Sequence, residues 1–236
     1  MSSTEKLYQE DPYLRECTAR VMGVTGQAVI LDRSIFYCQG GGQPGDTGEF
    51  TLPGGRSVKV ADTVAQAETG EQLHMIAEGE ALPGVGEEVL ARIDWDRRYR
   101  FMRMHSCMHM LCAVIDAPVT GGSVSDGRAR LDFDLPDPVD KTEVTEALNE
   151  MIRRDRPRYF RWITDAEMEA QPELVRTMSV SPPSGQGRVR LVEFEGIDLQ
   201  PCGGTHVARS GEIGEVRVSK IEKKGKQNRR VIVEFA

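Results

Sequence analysis

Two short segments hold the side chains best able to do chemistry: His105-Ser106-Cys107-Met108-His109 and Cys202-Gly203-Gly204-Thr205-His206. Each places two soft, metal-competent groups four residues apart, and three of the chain's four histidines fall within them. On a helix, His-x3-His sets both imidazoles on one face, one turn apart. Cys202 and His206 add a thiolate and a third imidazole, giving a tetrahedral set suited to Zn²⁺. The two pairs are far apart in sequence, so such an ion would join separate parts of one fold rather than close a local finger. Each segment also has an ordinary reading. Two histidines can be polar groups at the edge of a core, and Cys-Gly-Gly-Thr can be a tight turn.

The elements that must position these residues change character near residue 93. Before it, short runs such as Arg20–Val24, Gln27–Leu31, Ser34–Tyr37, Ser57–Val60, Leu73–Ile76 and Val89–Ile93 predict strands, punctuated by Thr25-Gly26, Pro53-Gly54-Gly55 and Pro83-Gly84. These read as a small antiparallel β-barrel over 1–93, with residues 39–48 too rich in glycine for a regular element. After it, a helix capped by Asp94 or Asp96 and ended by Pro118 carries an apolar stripe of Phe101, Met104, Met108, Leu111 and Ile115, with His105 and His109 beside it. Further predicted elements are a strand at Ala129–Phe133, a helix over Lys141–Arg154, a strand at Tyr159–Ile163, a helix over Asp165–Met178, and strands at Val189–Phe194, Glu215–Ile221 and Arg230–Phe235. The expected fold is α+β: the barrel, then an α+β two-layer sandwich over 94–236.

Bulk properties narrow the function classes. The 236 residues contain no apolar run long enough to span a membrane, and the start lacks a secretory h-region. Five cysteines without framework spacing predict reduced thiols, no disulfide-linked partner and a cytoplasmic setting. A net charge of −7 argues against general nucleic-acid affinity. The basic residues nevertheless cluster: Arg97, Arg98, Arg100 and Arg103; Arg153, Arg154, Arg156, Arg158 and Arg161; and Lys220, Lys223, Lys224, Lys226, Arg229 and Arg230. Any one cluster can be a solvated face, but three of them point to a phosphate-bearing partner.

Competing motifs fail on context. Gly40-x-Gly42-x-x-Gly45 matches a dinucleotide fingerprint, but Pro44 and Asp46-Thr47-Gly48 open no helix. Ser106 stands where a metalloprotease helix carries its general-base Glu. Cys202 is not followed by the second Cys of a nucleobase deaminase.

What remains is an ordered combination: Gly40-Gly41-Gly42-Gln43-Pro44-Gly45-Asp46, then His-x3-His, then Cys-Gly-Gly-Thr-His. Together with Leu31–Tyr37, Arg130–Asp134 and Gly225–Arg230, it resembles the AlaX family, free-standing homologues of the alanyl-tRNA synthetase editing domain. The resemblance spans about residues 16–236, and the Gly-rich element is similar to that of the longer members. It implies a Zn²⁺-dependent hydrolase acting in trans on tRNA(Ala) mischarged with serine or glycine. The chain departs from the family's frequent His-Thr-Ala-x-His at Ser106, Cys107 and Met108. It also has Cys38 where Pro is common and Ser34 where Thr is frequent. None of these removes a ligand; they bear on substrate choice.

The resemblance implies His105, His109, Cys202 and His206 as metal ligands. Gln43 and Asp198 are the expected catalytic residues: Gln43 can offer its amide to substrate, and Asp198 can orient a ligand His or the substrate ammonium. Ser34, Gly41, Gly42, Gln43 and Ser106 are the expected substrate contacts. Arg100, Lys223, Lys224, Lys226, Arg229 and Arg230 are expected on tRNA phosphates. The chemistry is coherent. A pocket built for alanine rejects an added hydroxyl by only ~1–3 kcal/mol, so a second site must recognise that hydroxyl. Zn²⁺ acidifies water toward neutral pH and polarises an ester carbonyl. Four protein ligands at once would close the site, and catalysis would then need one displaced or the coordination expanded. Other readings remain: a tRNA-binding module with a purely structural zinc, an editor of Ser-tRNA(Thr), or a metal hydrolase of small esters.

Overall fold

Alternation with period two governs the first part of the chain. The computed structural model describes residues 4–178 and 187–236. Its strands here are β1 (Glu5–Lys6), β2 (Glu16–Thr25), β3 (Ala28–Leu31), β4 (Arg33–Ser34), β5 (Gly48–Thr51), β6 (Ser57–Ala65), β7 (Gln72–Ile76) and β8 (Glu88–Ile93). Six of them close an antiparallel barrel in the order β2-β3-β7-β6-β5-β8. Ala19 and Val21, Val58 and Val60, and Val89, Ala91 and Ile93 point inward around Phe36 and Phe50. The Gly-rich stretch forms no regular element before β5 begins at its last residue, Gly48, and the segment expected as a strand at Ser34–Tyr37 is strand only at Arg33–Ser34. There the backbone turns: Phe36 N–H donates to Ser34 Oγ at 3.0 Å and Tyr37 N–H to Asp46 Oδ2 at 2.7 Å.

Two buried polar groups lock this unit. His74 is fully buried, donating from Nδ1 to Val29 O at 3.0 Å and accepting from Ser34 Oγ at 2.7 Å. Burial lowers its pKa to about 4, against a modest upward pull from the Val29 bond. Arg98 is also fully buried and ion-paired with Asp46, while its Nη1 donates to Pro12 O at 3.0 Å and its Nη2 also to Ile35 O at 2.6 Å. This corrects the reading of Arg98 as part of a phosphate-facing cluster, since its charge is spent inside the barrel unit.

The described chain divides into two compact units: residues up to Gly40 with Pro44–Tyr99, and Gly41–Gln43 with the residues from Arg100 onward. Helix α1 (Trp95–Val114) is capped by Asp94, whose Oδ1 accepts from Arg97 N–H at 3.1 Å. From Phe101 to Cys112 every residue except Arg103 is buried. The expected single apolar stripe is therefore a helix buried nearly all round, which small and sulfur-containing residues make possible.

The second unit continues with β9 (Val119–Ser125), β10 (Arg128–Asp134), α2 (Lys141–Arg153), β11 (Arg158–Ile163), α3 (Asp165–Glu169), β12 (Val189–Phe194), β13 (Asp198–Pro201), β14 (Val216–Lys223) and β15 (Asn228–Phe235). Four strands form a sheet in the order β14-β15-β10-β9, and three form β11-β12-β13. Asp140 caps α2, which buries Val144, Leu148 and Ile152. Asn149 reaches β14 with both ends of its amide, donating to Val216 O at 2.7 Å and accepting from Val216 N–H at 3.0 Å. This layering is the α+β architecture the sequence pattern predicts. The helix expected over Asp165–Met178 stops at Glu169, with a 3₁₀ turn at Pro172–Leu174. Pro172 disfavours helical backbone at Gln171 and cannot donate into the turn before it.

Candidate metal centre

Helix α1 delivers His105 and His109, and the loop after β13 delivers Cys202 and His206. One ligand atom from each lies within 4.8 Å of every other. The three Nε2 atoms face this common point: His105 Nε2 is 3.5 Å and His206 Nε2 3.6 Å from Cys202 Sγ, and His206 Nε2 is 3.0 Å from His109 Nε2.

The outer hydrogen bonds fix the tautomers on the helix. Gln43 Oε1 accepts Thr205 N–H at 3.1 Å, which identifies it as the oxygen. His105 Nδ1, 2.8 Å from that oxygen, must then carry the proton. His109 Nδ1–H donates to Asp198 Oδ2 at 2.7 Å, and Gln200 Nε2 donates to the same oxygen at 2.8 Å. Both helix imidazoles thus turn an Nε2 lone pair inward, as metal-ligating histidines do. A cation bound at the common point would be within reach of all four donors.

The charges agree. Burial opposes ionisation of Cys202, but the neighbouring His105 and His206 hold its thiol well below the ordinary range. Burial also opposes a charge on His109, yet Asp198 and Cys202 push it up to about 9, so at neutral pH a cation would take the Nε2 lone pair only by displacing a proton from it. Burial, the largest cause, takes His206 well below its ordinary range, and its Nδ1 is buried with no partner among the described residues. A thiolate among imidazoles is a donor set that fits a borderline-soft divalent cation.

The supporting residues are tightly placed. Gln43 Nε2 donates to Thr205 Oγ1 at 2.8 Å, and Ser106 Oγ accepts Val207 N–H at 3.1 Å, tying the helix to the ligand loop. Gly42, at φ +79°, brings its carbonyl to Val124 N–H at 2.8 Å; a Cβ there would lie 2.7 Å from Gly122 O. Arg190, buried in β12, donates to Cys202 O at 3.0 Å and to Gly204 O. Arg176 Nε stands 3.5 Å from Asp198 Oδ1. Sequence reasoning does not reach Thr205, Gln200, Arg190 or Arg176. One of them carries a signal that could have found it: Thr205 stands between Cys202 and His206 in the Cys-x3-His segment.

The remaining expected site residues fall elsewhere. Ser34 belongs to the barrel unit, its hydroxyl bonded to His74. Arg100 grips Asp126 with two nitrogens, one at 3.1 Å. Lys223, Lys224 and Lys226 are exposed at the β14–β15 turn, with Lys224 Nζ 3.0 Å from Glu222. Arg229 is buried and donates to Pro136 O, and Arg230 grips Asp132 at 2.7 and 2.8 Å.

Fold and cluster together define an α+β protein with a buried His/Cys cluster whose donor atoms are close enough to hold one metal ion. Residues 189–232 match the family described as threonyl and alanyl tRNA synthetase second additional domain, and residues 7–97 match the class II (A) tRNA synthetases. The chain is 38% identical to the alanyl-tRNA editing protein AlaX-M of Saccharolobus solfataricus over 97% of each chain. It is likewise 38% identical to AlaX-M of Methanosarcina mazei, over 97% of this chain and 95% of that one. An alanine–tRNA ligase of Pyrobaculum calidifontis is 34% identical over 93% of this chain but only 25% of its own length. The chain belongs to the AlaX-M family of alanyl-tRNA editing proteins.

Proposed function

We propose that this protein hydrolyses the ester of tRNA(Ala) mischarged with serine, and also with glycine, with Zn²⁺ held by His105, His109, Cys202 and His206. The observation that supports it most is the pair of outer hydrogen bonds, Gln43 to His105 and Asp198 to His109, which aim two Nε2 lone pairs at the point faced by Cys202 and His206. When bound, the ion supplies Lewis acidity toward an ester carbonyl and toward water at neutral pH.

The chain's own residues do the positioning. Asp198 holds the proton on His109 Nδ1, and Gln43 holds it on His105 Nδ1. Gln43 also orders Thr205, and one hydrogen of its amide is committed to that hydroxyl. Its second amide hydrogen is the donor it can offer to a substrate oxygen. Gly42 lets backbone approach closely where a side chain would intrude, and Gly41, at φ +54°, supplies the left-handed turn before it. Ser106 holds the ligand loop to α1, and its own hydroxyl hydrogen remains a second donor. Exposed Lys223, Lys224 and Lys226 are the basic residues best placed for RNA phosphates.

Purified protein with verified metal content should release serine from Ser-tRNA(Ala) far faster than alanine from Ala-tRNA(Ala). Release no faster than the uncatalysed rate would sink the reading. Gly-tRNA(Ala) tests the glycine arm, and Ser-tRNA(Thr) tests a threonyl-type editor. One observation favours a second reading: four protein donors are enough to saturate a tetrahedral ion, as in structural sites. His105→Ala separates the two. A catalytic ion predicts lost hydrolysis with RNA binding kept, whereas a structural one predicts unfolding and loss of both.

A further inference from the structure

Strand β11 carries Arg158-Tyr159-Phe160-Arg161-Trp162, an alternation of cations and rings that neither the metal centre nor the barrel uses. It is the outer strand of the sheet β11-β12-β13, so its residues divide between two faces. On one face Tyr159 and Arg161 stand out, with Arg161 paired to Glu193. On the other lie Arg158, Phe160 and Trp162, the last opposite Arg190 of β12. Asp198 and Gln200, which hold His109, reach the metal centre from β13 of the same sheet.

On this second face the cations lie over rings. The Arg158 guanidinium sits 3.7 Å and that of Arg190 4.5 Å from the Phe160 ring centre, and Arg188 lies 4.1 Å over Trp162. Both arginines at Phe160 also hold the ligand loop: Arg190 donates to Cys202 O and Gly204 O, and Arg158 Nε to Val207 O at 3.3 Å. The array therefore begins at the loop that carries Cys202 and His206 and runs outward along the strand. Phe160 and Trp162 are half-buried and Arg188 is exposed. Trp162 Nε1–H is buried with no acceptor among the described residues.

The geometry points to a binding surface for single-stranded nucleotides at the acceptor end of the RNA. Phe160 and Trp162 are two residues apart on one face of a strand, about 7 Å, a separation that suits bases taken one per ring. Guanidinium planes over rings extend the stacking surface and supply charge to the phosphates. A chain of net charge −7 concentrates positive charge here, beside the metal-binding loop, where the aminoacylated end must arrive. The identity of that RNA end rests on the editing function proposed above, but the binding surface is tested without hydrolysis.

The chain has two tryptophans, and Trp95 stacks on Tyr99 in the other unit. Trp95→Phe therefore leaves Trp162 as the reporter. Titration of the full-length protein with an uncharged RNA minihelix bearing a single-stranded 3′ overhang should quench Trp162 fluorescence, and the blunt-ended helix should not. Arg188→Ala, an exposed change remote from the ligand set, should weaken overhang binding several-fold. Trp162→Ala should weaken it about tenfold, with Trp162→Phe recovering most of the loss. Metal content should be unchanged in each. Equal quenching by blunt and overhanging RNA, or wild-type affinity in both Arg188→Ala and Trp162→Ala, would overturn the proposal. A protein that binds the overhang in this way yet deacylates nothing would instead count against the editing reading alone.

Discussion

His105 and His109 on α1 each depend on a neighbour for orientation. Asp198 accepts from His109 Nδ1 and Gln43 accepts from His105 Nδ1. Removing such a partner typically costs about 10–100-fold in metal affinity while leaving the ligand in place. Asp198→Ala and Gln43→Ala are each expected to weaken zinc binding by about that factor, measured by competition with a chelator. Wild-type affinity in both would show that the outer hydrogen bonds are incidental. The four clustered donors are legible in the sequence because His-x3-His and Cys-x3-His keep their spacing whatever surrounds them. Their supports are legible only where a motif carries them. Gln200 and Arg190 belong to no motif, and their partners, Asp198 and the Cys202 and Gly204 carbonyls, are set by the fold around the paired strands β12 and β13. Arg98 misleads for the same reason. It reads as one of a run of surface arginines, and only the fold reveals Asp46 beside it.

The loop between Cys202 and His206 spaces its ligands by what its glycines leave out. A Cβ on Gly204 would overlap the His105 ring, whereas one on Gly203 meets none of the described residues within 4 Å. Gly204→Ala must therefore displace His105 from the common point, and Gly203→Ala need not. Expected outcomes are a loss of bound zinc in Gly204→Ala and near wild-type content in Gly203→Ala, read by metal analysis of purified protein. Equal metal content in the two variants would contradict this close packing of loop on helix. Among the elements, those with a clean period are readable from sequence: the alternating barrel strands and the amphipathic α2. Elements made regular by their partner rather than their composition are not. β9 runs Val119-Thr120-Gly121-Gly122-Ser123, poor in strand formers, yet it pairs with β10 across Ala129–Phe133. Its Gly122 lies against the Gly42 backbone, an approach that leaves no room for side chains. The bounds of α1 are legible but its exposure is not, since a helix buried nearly all round has no polar face to mark its orientation.

At the scale of the whole molecule, charge and pH set how the fold behaves. A net charge of −7 leaves RNA affinity to local patches, and the β14–β15 turn offers Lys223, Lys224 and Lys226 exposed. Their joint replacement by Ala should flatten the salt dependence of RNA binding, by about 0.7–0.9 in log–log slope for each phosphate no longer neutralised. Arg229 and Arg230 are unsuited to that test because both brace the sheet. The acid response follows from His74, whose folded pKa of about 4 lies below the ~6.5 of an unfolded histidine. Between those values the unfolded chain binds the proton and the folded one does not, so stability falls as pH drops. The contribution is complete above about pH 6.5, and about 3 kcal/mol of it is lost by pH 4. His74→Asn removes this titration while leaving those of His105, His109 and His206 in place. Wild-type protein should therefore be the more stable of the two at pH 7, by chemical denaturation, and its advantage should shrink steadily toward pH 4.5. A stability difference that stays constant across that range would show that His74 takes up its proton without unfolding the barrel. The Ser34–His74–Val29 hydrogen bonds would then not hold the imidazole neutral.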